Sequence, residues 1–448
     1  MAVSSHDTIA AIATAHGRGG IGVVRVSGAR LGDFTQALCG KRPQARLATL
    51  SDFRDGDGSL IDQGLALYFP APHSYTGEDV LELQGHGGPV VLQRLLKRCL
   101  ALGARVAEPG EFSKRAYLNG KMDLAQAEGV ADLIDAATEQ AARSANRSIH
   151  GEFSAEIHAL ARQLVDLRAL TEATLDFPEE EIDVGTREDQ LRRLEKIRTQ
   201  LYQLLSASDQ GSLLREGVLV VLAGQPNAGK SSLLNRLAGE EVAIVTEIPG
   251  TTRDAIRQSI NLYGVPVHVI DTAGLRESDD PVERIGIERT WRMIEKSDVA
   301  VLVIDAVKGV SAEDLAILAR LPQGLPCLRV SNKADLAGKT VGLAREGEAL
   351  TVSLSAKTGE GIELLRRALA EVIGWRGEAE GVFMARARHI EALREAKARL
   401  EQAQGETQRQ ELFADELRRA HEALMSITGE VTPDDLLGEI FSRFCIGK

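Results

Sequence analysis

The sequence predicts a multidomain fold of mixed α/β and all-α class, in which an α/β domain with a mostly parallel sheet is inserted into a discontinuous helical bundle. Residues 1–120 contain short β-prone runs separated by glycine-rich loops, and 121–216 contain long segments of helical period. Residues 217–374 alternate strand and helix runs, a pattern typical of a parallel sheet covered by helices. Because the helical pattern returns over 375–448, we expect the α/β block to be an insertion.

Bulk composition narrows the class of protein. The chain has 448 residues, of which 44% are hydrophobic and 26% charged, values of a globular protein with two to four domains. No apolar run approaches the ~20 residues of a membrane span, and the N-terminus shows no signal-peptide core. The four cysteines form no C-x-x-C pair, which argues against a disulfide framework or a zinc site. We therefore expect a cytoplasmic protein without stable membrane insertion.

The net charge of −12 is unfavourable for a protein whose main task is to hold nucleic acid, since phosphate contacts need clustered Lys and Arg. It lowers the expectation of such a partner without excluding a local basic patch.

The flanking regions give the following elements. Two glycine loops, at Gly17–Gly20 and Gly85–Gly88 in the sequence, could bind an anion or simply turn the chain, and the pattern favours turns. Strands are predicted at 8–13, 21–26, 65–69 and 80–84, and helices at 89–102, 124–149, 153–175, 191–205, 386–403 and 410–427, with a last short helix after an N-cap at Thr432. In the central block, strands are predicted at 218–223, 265–271, 299–305 and 327–331.

One stretch of the central block carries recognisable chemistry. It follows the apolar run Val218–Ala223, extends from Gly224 to Ser231, and fits G-x-x-x-x-G-K-[ST] before a helical pattern. The glycines let backbone N–H groups surround a phosphate chain, Lys230 can reach the outer phosphates, and the Ser231 hydroxyl can bind Mg²⁺. A plain strand–turn–helix is the alternative.

Four further segments follow in an order that favours a guanine nucleotide. The Asp335 carboxylate can accept two hydrogen bonds from guanine, and adenine offers no such pair, a difference of ~1–3 kcal/mol. Asp271 can hold Mg²⁺ through water, and Gly274 can bring its N–H to the γ-phosphate. The segments are G-T-T-R-D from Gly250, D-T-A-G from Asp271, N-K-A-D from Asn332 and S-A-K from Ser355, whose backbone can meet guanine O6.

The residue after D-T-A-G departs from the Ras-type pattern. A glutamine there orients the attacking water, but this chain has Leu275, which has no hydrogen-bonding side chain. Another polar residue between Arg276 and Arg284 must then position water. An acidic loop of this kind is commonly just solvated, so the pattern alone selects none.

Several longer strings resemble one family. They are GQPNAGKSSLLNRLAG, VTEIPGTTRD, DTAGLRES and VERIGIER in the central block, GRGGIGVVRVSG and TGEDVLELQGHGG near the N-terminus, PGEFSKRAYLNGKMDLAQAEGVADLIDA, and the terminal FCIGK. Together they are similar to the MnmE (TrmE) family of tRNA modification GTPases over essentially the whole length.

The resemblance implies an architecture and an activity. It implies an N-terminal folate-binding and dimerisation domain (1–120), a helical domain in two parts (121–216 and 375–448), and a Ras-like P-loop G domain (217–374). It implies a homodimeric, K⁺-activated GTPase that works with the flavoprotein MnmG (GidA) in a heterotetramer or larger complex. The pair adds an aminomethyl or carboxymethylaminomethyl group to C5 of the wobble uridine of certain tRNAs. The carbon comes from a tetrahydrofolate derivative (5-formyl- or methylene-tetrahydrofolate).

Site residues follow from the same resemblance. It implies a folate site at Arg25, Glu82, Lys121 and Lys448, and a functionally sensitive Cys445. Glu283, Lys230 and Cys445 are the residues expected to carry chemistry, with Glu283 orienting the water that Leu275 cannot. The expected metal ligands are Ser231 and Thr252 for Mg²⁺ and Asn227, Thr246, Ile248 and Thr251 for K⁺. The expected GTP-binding residues are Asn227, Ala228, Gly229, Lys230, Ser231, Ser232, Thr246, Glu247, Ile248, Pro249, Gly250, Thr251, Thr252, Asp271, Thr272, Ala273, Gly274, Asn332, Lys333, Asp335, Ser355, Ala356 and Lys357.

Three other classes of protein are alternatives to this prediction. A GTPase switch for ribosome assembly, without its own modification chemistry, would lack the folate site and the FCIGK tail. A stand-alone folate enzyme would not need residues 217–374. An ATPase is disfavoured by Asp335.

Overall fold

A computed structural model describes residues 7–176, 187–239, 256–271, 294–346, 349–377, 381–430 and 434–447. The chain forms two compact units, Met1–Ala131 with Met425–Lys448, and Asp132–Leu424. In the described ranges, no helix combines the length and apolarity needed to cross a membrane.

The elements of the described residues are as follows. The strands are β1 (Ile9–Ile12), β2 (Gly22–Gly28), β3 (Thr49–Arg54), β4 (Leu60–Phe69), β5 (Asp79–Gly85), β6 (Arg105–Val106), β7 (Val218–Ala223), β8 (Ile256–Leu262), β9 (Val265–Asp271), β10 (Val299–Asp305), β11 (Cys327–Asn332), β12 (Gly342–Glu346) and β13 (Ala349–Ser353). The helices are α1 (Gly32–Cys39), α2 (Pro89–Ala101), α3 (Glu111–Leu118), α4 (Leu124–Asp135), α5 (Glu139–Ile149), α6 (Glu152–Asp176), α7 (Arg187–Glu216), α8 (Lys230–Ala238), α9 (Ala312–Arg320), α10 (Ala334–Ala337), α11 (Ile362–Val372), α12 (Ala387–Gly405), α13 (Gln410–Thr428) and α14 (Asp434–Ser442).

The first unit contains a six-stranded sheet of order β3-β4-β5-β2-β1-β6, in which only the β1–β6 pair is parallel. Alternation along β2 buries Val24 and Val26 in a core shared with α1 and α2, so Arg25 between them projects from the other face. The register sets Arg25 directly opposite Glu82 of β5. The sheet thus brings together two charged residues that are 57 positions apart in the sequence.

The C-terminal segment belongs to the same unit. Phe441 of α14 and Phe444 pack with Leu124 in one hydrophobic cluster. Gly447 has a φ of 100°, and a Cβ placed on it would lie 2.6 Å from the Ile12 carbonyl oxygen. A side chain at this position would collide with backbone, so only glycine lets the tail lie against the end of β1.

The second unit contains a seven-stranded sheet of order β12-β13-β11-β10-β7-β9-β8. Four of its pairings are parallel, and the edge pairs β8–β9 and β12–β13 are antiparallel. Together with the helical segments on both sides of it in the chain, this sheet confirms the predicted fold class. The predicted bounds of β7, β9 and β10 are those observed, because these buried strands are mainly apolar, with His268 as the polar interruption of β9.

The continuous helix expected over 124–149 is wrong, because the chain breaks between α4 and α5. Thr138 caps α5: its Oγ1 accepts a hydrogen bond from the Ala141 N–H at 3.1 Å and donates one to the Gly264 carbonyl at 2.7 Å. A threonine N-cap satisfies one of the unpaired N–H groups of a helix start. The second bond ties this break to the turn between β8 and β9.

Asp132 of α4 connects both ends of the inserted α/β block. Its Oδ1 lies 3.1 Å from Arg215 Nε, at the end of α7, and 2.8 Å from Arg386 Nη2, at the residue before α12. The Asp132 side chain is 6% exposed. Both polypeptide connections of the block therefore meet at one buried carboxylate.

We expect Asp132→Ala to lower the free energy of unfolding of the second unit by about 2–3 kcal/mol, because it removes the buried carboxylate that Arg215 and Arg386 share, while the remaining Arg215 partner, Glu216, is exposed. Urea denaturation of the full chain measures the loss. Asp209→Ala is the matched control: Asp209 is 45% exposed, pairs with Arg394 at 3.3 Å, and should cost less than ~1 kcal/mol. Equal losses would show that the connection is no stronger than a surface ion pair.

Candidate functional site

Two glycines shape the loop between β7 and α8. Gly224 has a φ of 140°, and a Cβ there would lie 2.3 Å from the Val303 carbonyl oxygen of β10. Gly229 has a φ of 100°, and a Cβ there would lie 2.2 Å from Asn332 Nδ2. Both positions combine a left-handed backbone with close contact, so the loop depends on glycine at each end.

Lys230 begins α8, and its ammonium caps the loop. Its Nζ donates hydrogen bonds to the carbonyl oxygens of Gly224 at 2.6 Å and Gln225 at 2.9 Å. The positive group is thus held at the N-terminus of a helix, where backbone N–H groups and the helix dipole also favour an anion. Ser231 and Ser232 follow in the first helical turn with exposed side chains, as a Mg²⁺ ligand and a phosphate contact require.

A cavity of about 820 Å³ lies over this loop. Its walls include the loop itself, the first turn of α8, and Lys333. Asn227, the expected K⁺ ligand, lines it with a φ of 63° and an exposed side chain. The donor set of one lysine, exposed hydroxyls and a helix N-terminus fits a polyphosphate with its Mg²⁺.

Asn332 joins the phosphate loop to the segments expected to bind the base. Its Nδ2 donates to the Ala228 carbonyl at 2.8 Å, and its Oδ1 accepts from the Ala356 N–H at 2.9 Å. Asn332 is 2% exposed, so both bonds lie in the interior. The structure thereby brings together three sequence-predicted segments: the glycine loop, N-K-A-D and S-A-K.

The next residue, Lys333, is held by an ion pair. It has a φ of 66°, and its Nζ lies 2.7 Å from Asp305 Oδ2 at the end of β10. The hydrogen bond from Lys333 holds the pKa of the Asp305 carboxyl below its usual value. Asp335 lies two residues on in α10 with an exposed side chain, which leaves its carboxylate accessible.

The S-A-K loop is held from both sides. Ser355 and Ala356 are buried and Lys357 is exposed. The Ala356 N–H already donates to Asn332, so a guanine O6 that receives this N–H must share it with that side chain. On the other side, Arg236 Nη2 of α8 donates to the Lys357 carbonyl at 2.8 Å.

Several predicted site residues lie outside the described residues. Asp271 ends β9 opposite Leu222 of β7, and its side chain is not described. The predicted site residues whose backbone also lies outside the described ranges are Thr246, Glu247, Ile248, Pro249, Gly250, Thr251, Thr252, Thr272, Ala273, Gly274, Glu283 and Lys448.

The first unit holds a second candidate site around Arg25 and Glu82. Glu82 Oε1 accepts from Arg25 Nε at 3.0 Å and Nη2 at 2.8 Å, and the side chains are 19% and 24% exposed, respectively. The guanidinium lies 5.4 Å from the ring centre of Tyr75 and 5.8 Å from that of Phe112. Its Nη1 also lies 3.5 Å from the Gly447 carbonyl oxygen, which brings the tail to this pair.

This arrangement has the groups that a folate could use. A partly exposed carboxylate can meet the amide edge of a pterin, a cation can meet an anionic tail, and flat rings can pack on its face. Burial raises the pKa of the Tyr75 hydroxyl, which bonds to the Ser113 hydroxyl at 2.8 Å and stays neutral at pH 7. The donor and acceptor set fits the expected group.

The other folate-site predictions are less connected. Within the described residues, no hydrogen bond or ion pair joins Lys121 to Arg25 or Glu82; a Cβ placed on Gly77 would lie 3.4 Å from Lys121 Cγ. Cys445 is exposed, and its carbonyl accepts from the Gly110 N–H at 3.3 Å.

Sequence reasoning missed several residues of both sites. Tyr75 and Phe112 flank Arg25, Asp305 pairs with Lys333, and Arg236 contacts the S-A-K loop. None carries a local signal, because each contact joins segments far apart in the chain. Of these residues, only Asp305 could be placed at the correct edge of the sheet from the sequence, because it ends a predicted apolar strand.

Comparison with known proteins identifies the family. Residues 124–445 match the family model described as MnmE helical domain, and 8–121 match that described as GTP-binding protein TrmE N-terminus. A tRNA modification GTPase MnmE from Laribacter hongkongensis (strain HLHK9) is 60% identical over 445 residues, which cover 99% of both chains. The chain belongs to the MnmE family. The MnmE of Nitrosomonas europaea is 60% identical over 451 residues, covering 100% of both chains, and that of Chromobacterium violaceum 58% over 442, covering 98% of both.

Membership of the MnmE family confirms the predicted enzyme class, a GTPase that acts in tRNA modification. Among solved structures, the G domain of the T. maritima FeoB iron transporter is 27% identical, covering 35% of this chain and 98% of that one. The TM-score of this pair is 0.27.

We expect Gly224→Ala to weaken GDP binding at least about tenfold and to destabilise the second unit by about 2 kcal/mol or more, because the added methyl group meets the Val303 carbonyl in a left-handed backbone. Isothermal titration calorimetry and thermal unfolding of the full chain measure the two effects. Gly342→Ala is the control: a Cβ there meets no atom within 4 Å and its φ is not positive, so GDP affinity should be unchanged. Wild-type GDP affinity in Gly224→Ala would refute the loop's dependence on glycine.

Proposed function

We propose that this chain is a K⁺-activated GTPase which, with the flavoprotein MnmG, modifies C5 of the wobble uridine of certain tRNAs with a tetrahydrofolate one-carbon unit. The observation that carries the proposal is the pair of bonds from Asn332, which joins a phosphate loop to a guanine-type loop in a chain of the MnmE family. The proposal also divides the chain into four domain segments, which are 1–120, 121–216, 217–374 and 375–448.

In GTP binding and hydrolysis, each residue of the nucleotide site has a proposed role. Lys230 contacts the outer phosphates and Asp335 recognises the guanine ring. Mg²⁺, when bound by Ser231 and Thr252, neutralises phosphate charge. Glu283 orients the attacking water, because Leu275 has no side chain that could do so.

Potassium activation rests on Asn227, whose exposed amide lines the cavity above the phosphate loop. An amide oxygen is a suitable ligand for a hard cation. In this proposal Thr246, Ile248 and Thr251 are the other ligands of K⁺. A cation at this position stabilises negative charge that develops on the phosphates.

The modification half uses the Arg25–Glu82 site. Glu82 binds the pterin edge, while Arg25, Lys121 and Lys448 bind the anionic part of the folate. Cys445 lies two residues before Gly447, whose carbonyl approaches Arg25, and this supports its inclusion in the site. In this proposal two copies of the chain form a cytoplasmic homodimer, and this homodimer works together with MnmG. Its net charge of −12 supports the idea that the partner holds much of the tRNA.

We expect GTP hydrolysis to be at least about tenfold faster in KCl than in NaCl at equal ionic strength, because the cation supplies transition-state charge stabilisation. Steady-state phosphate release against K⁺ concentration measures this. Asn227→Ala should lose the K⁺ response and still bind GDP, whereas Asn235→Ala, an exposed asparagine of α8, should keep both. Equal rates of the wild type in the two salts would refute K⁺ activation.

We expect 5-formyltetrahydrofolate, at about tenfold its dissociation constant, to raise the melting temperature of the first unit by about 3 °C, because a ligand that binds only the folded state stabilises it. Differential scanning calorimetry of the full chain measures the shift. Arg25→Gln should abolish it. Arg54→Gln, which removes an exposed arginine paired with Asp52, should retain it. An unchanged wild-type melting temperature would count against a folate site.

A further inference from the structure

Arg236 of α8 contacts the loop expected to recognise the guanine base. Its Nη2 donates to the Lys357 carbonyl at 2.8 Å, and its Nε lies 3.5 Å from the Ala356 carbonyl oxygen. The guanidinium lies over Gly359, whose φ is 92°; a Cβ there would be 3.5 Å from Arg236 Cζ. Among the described residues no carboxylate pairs with Arg236, so its charge is directed at two carbonyl groups.

These two bonds fix the direction of peptide groups in the loop. In a trans peptide the C=O and the following N–H point to opposite sides. With the Ala356 carbonyl turned toward α8, the Lys357 N–H points away from α8. The Thr358 N–H, which follows the Lys357 carbonyl, donates to Ser355 Oγ at 3.2 Å.

The loop is therefore held by two side chains from different elements. Asn332 holds the Ala356 N–H from β11, and Arg236 holds the two following carbonyls from α8. An arginine presents several N–H groups in a rigid plane, so it can hold two acceptors in one geometry. Among the described side chains, Arg236 bonds to the Ala356 and Lys357 carbonyls, whereas Asn332 bonds only to the Ala356 N–H.

We propose that Arg236 is a specificity-determining positioning residue, which orients the backbone N–H groups of the S-A-K loop toward guanine O6. Arg236 does not touch the base in this proposal; it acts through the peptide groups of Ala356 and Lys357. The inference rests on the proposed assignment of this loop to the guanine ring. It adds a residue of the phosphate-loop helix to the recognition of the base.

Nucleotides that differ only in the base separate this role from a structural one. Arg236→Gln of the full chain is titrated with GDP, IDP and 2-aminopurine riboside diphosphate, and dissociation constants are measured by calorimetry. GDP and IDP carry O6, and the 2-aminopurine nucleotide lacks it. We expect affinity for GDP and IDP to fall about tenfold, and that for the 2-aminopurine nucleotide less than twofold, since only an O6 contact depends on the loop's N–H direction.

Two further variants complete the experiment. Arg345→Gln, which removes an exposed arginine of β12 paired with Glu371, should leave all three affinities unchanged. Asp335→Asn tests the site itself: if GDP affinity is unaffected, the guanine assignment is wrong whatever Arg236 does. If Asp335→Asn weakens GDP but Arg236→Gln weakens all three nucleotides equally, or none, the site stands and the role of Arg236 is overturned.

Discussion

The two hydrogen bonds of the Asn332 side chain are the constraint on which the nucleotide site depends. One amide group uses its donor on the phosphate loop and its acceptor on the S-A-K loop, in an interior position where neither bond competes with water. A Cβ placed on Gly229 would lie 2.2 Å from the Asn332 Nδ2, so a side chain at Gly229 would displace this amide. The spacing between phosphate and base recognition is therefore set by one side chain, and the surrounding contacts of Lys333 and Arg236 refine it.

Much of the nucleotide site and its sheet could be predicted from the sequence, because the patterns that indicate them are local in the chain. The strands β7 and β10 are buried on both faces and appear as apolar runs with the observed bounds, and β9 differs by the polar His268 at its centre. The glycine requirements at Gly224 and Gly229 follow from the motif, although the atoms they avoid, on Val303 and Asn332, are known only from the fold.

Other features could not be predicted, because their causes lie far away in the chain. The helix break at Thr138 depends on the Gly264 carbonyl, 126 positions later. The strand β6 has only two residues and no period to detect; it exists because β1 offers it a parallel edge. The aromatic rings around Arg25 likewise come from distant segments, Tyr75 from the loop before β5 and Phe112 from α3.

The buried position of Gly447 fixes the number of residues that can separate it from Phe444. Its Cα is pressed against the backbone of Ile12, while its carbonyl approaches Arg25. Consecutive Cα atoms are ~3.8 Å apart, so inserting or deleting one residue after Phe444, which is anchored in the hydrophobic cluster, would move this carbonyl beyond hydrogen-bonding reach. The number of residues between Phe444 and Gly447 is thus constrained as strictly as the glycine itself.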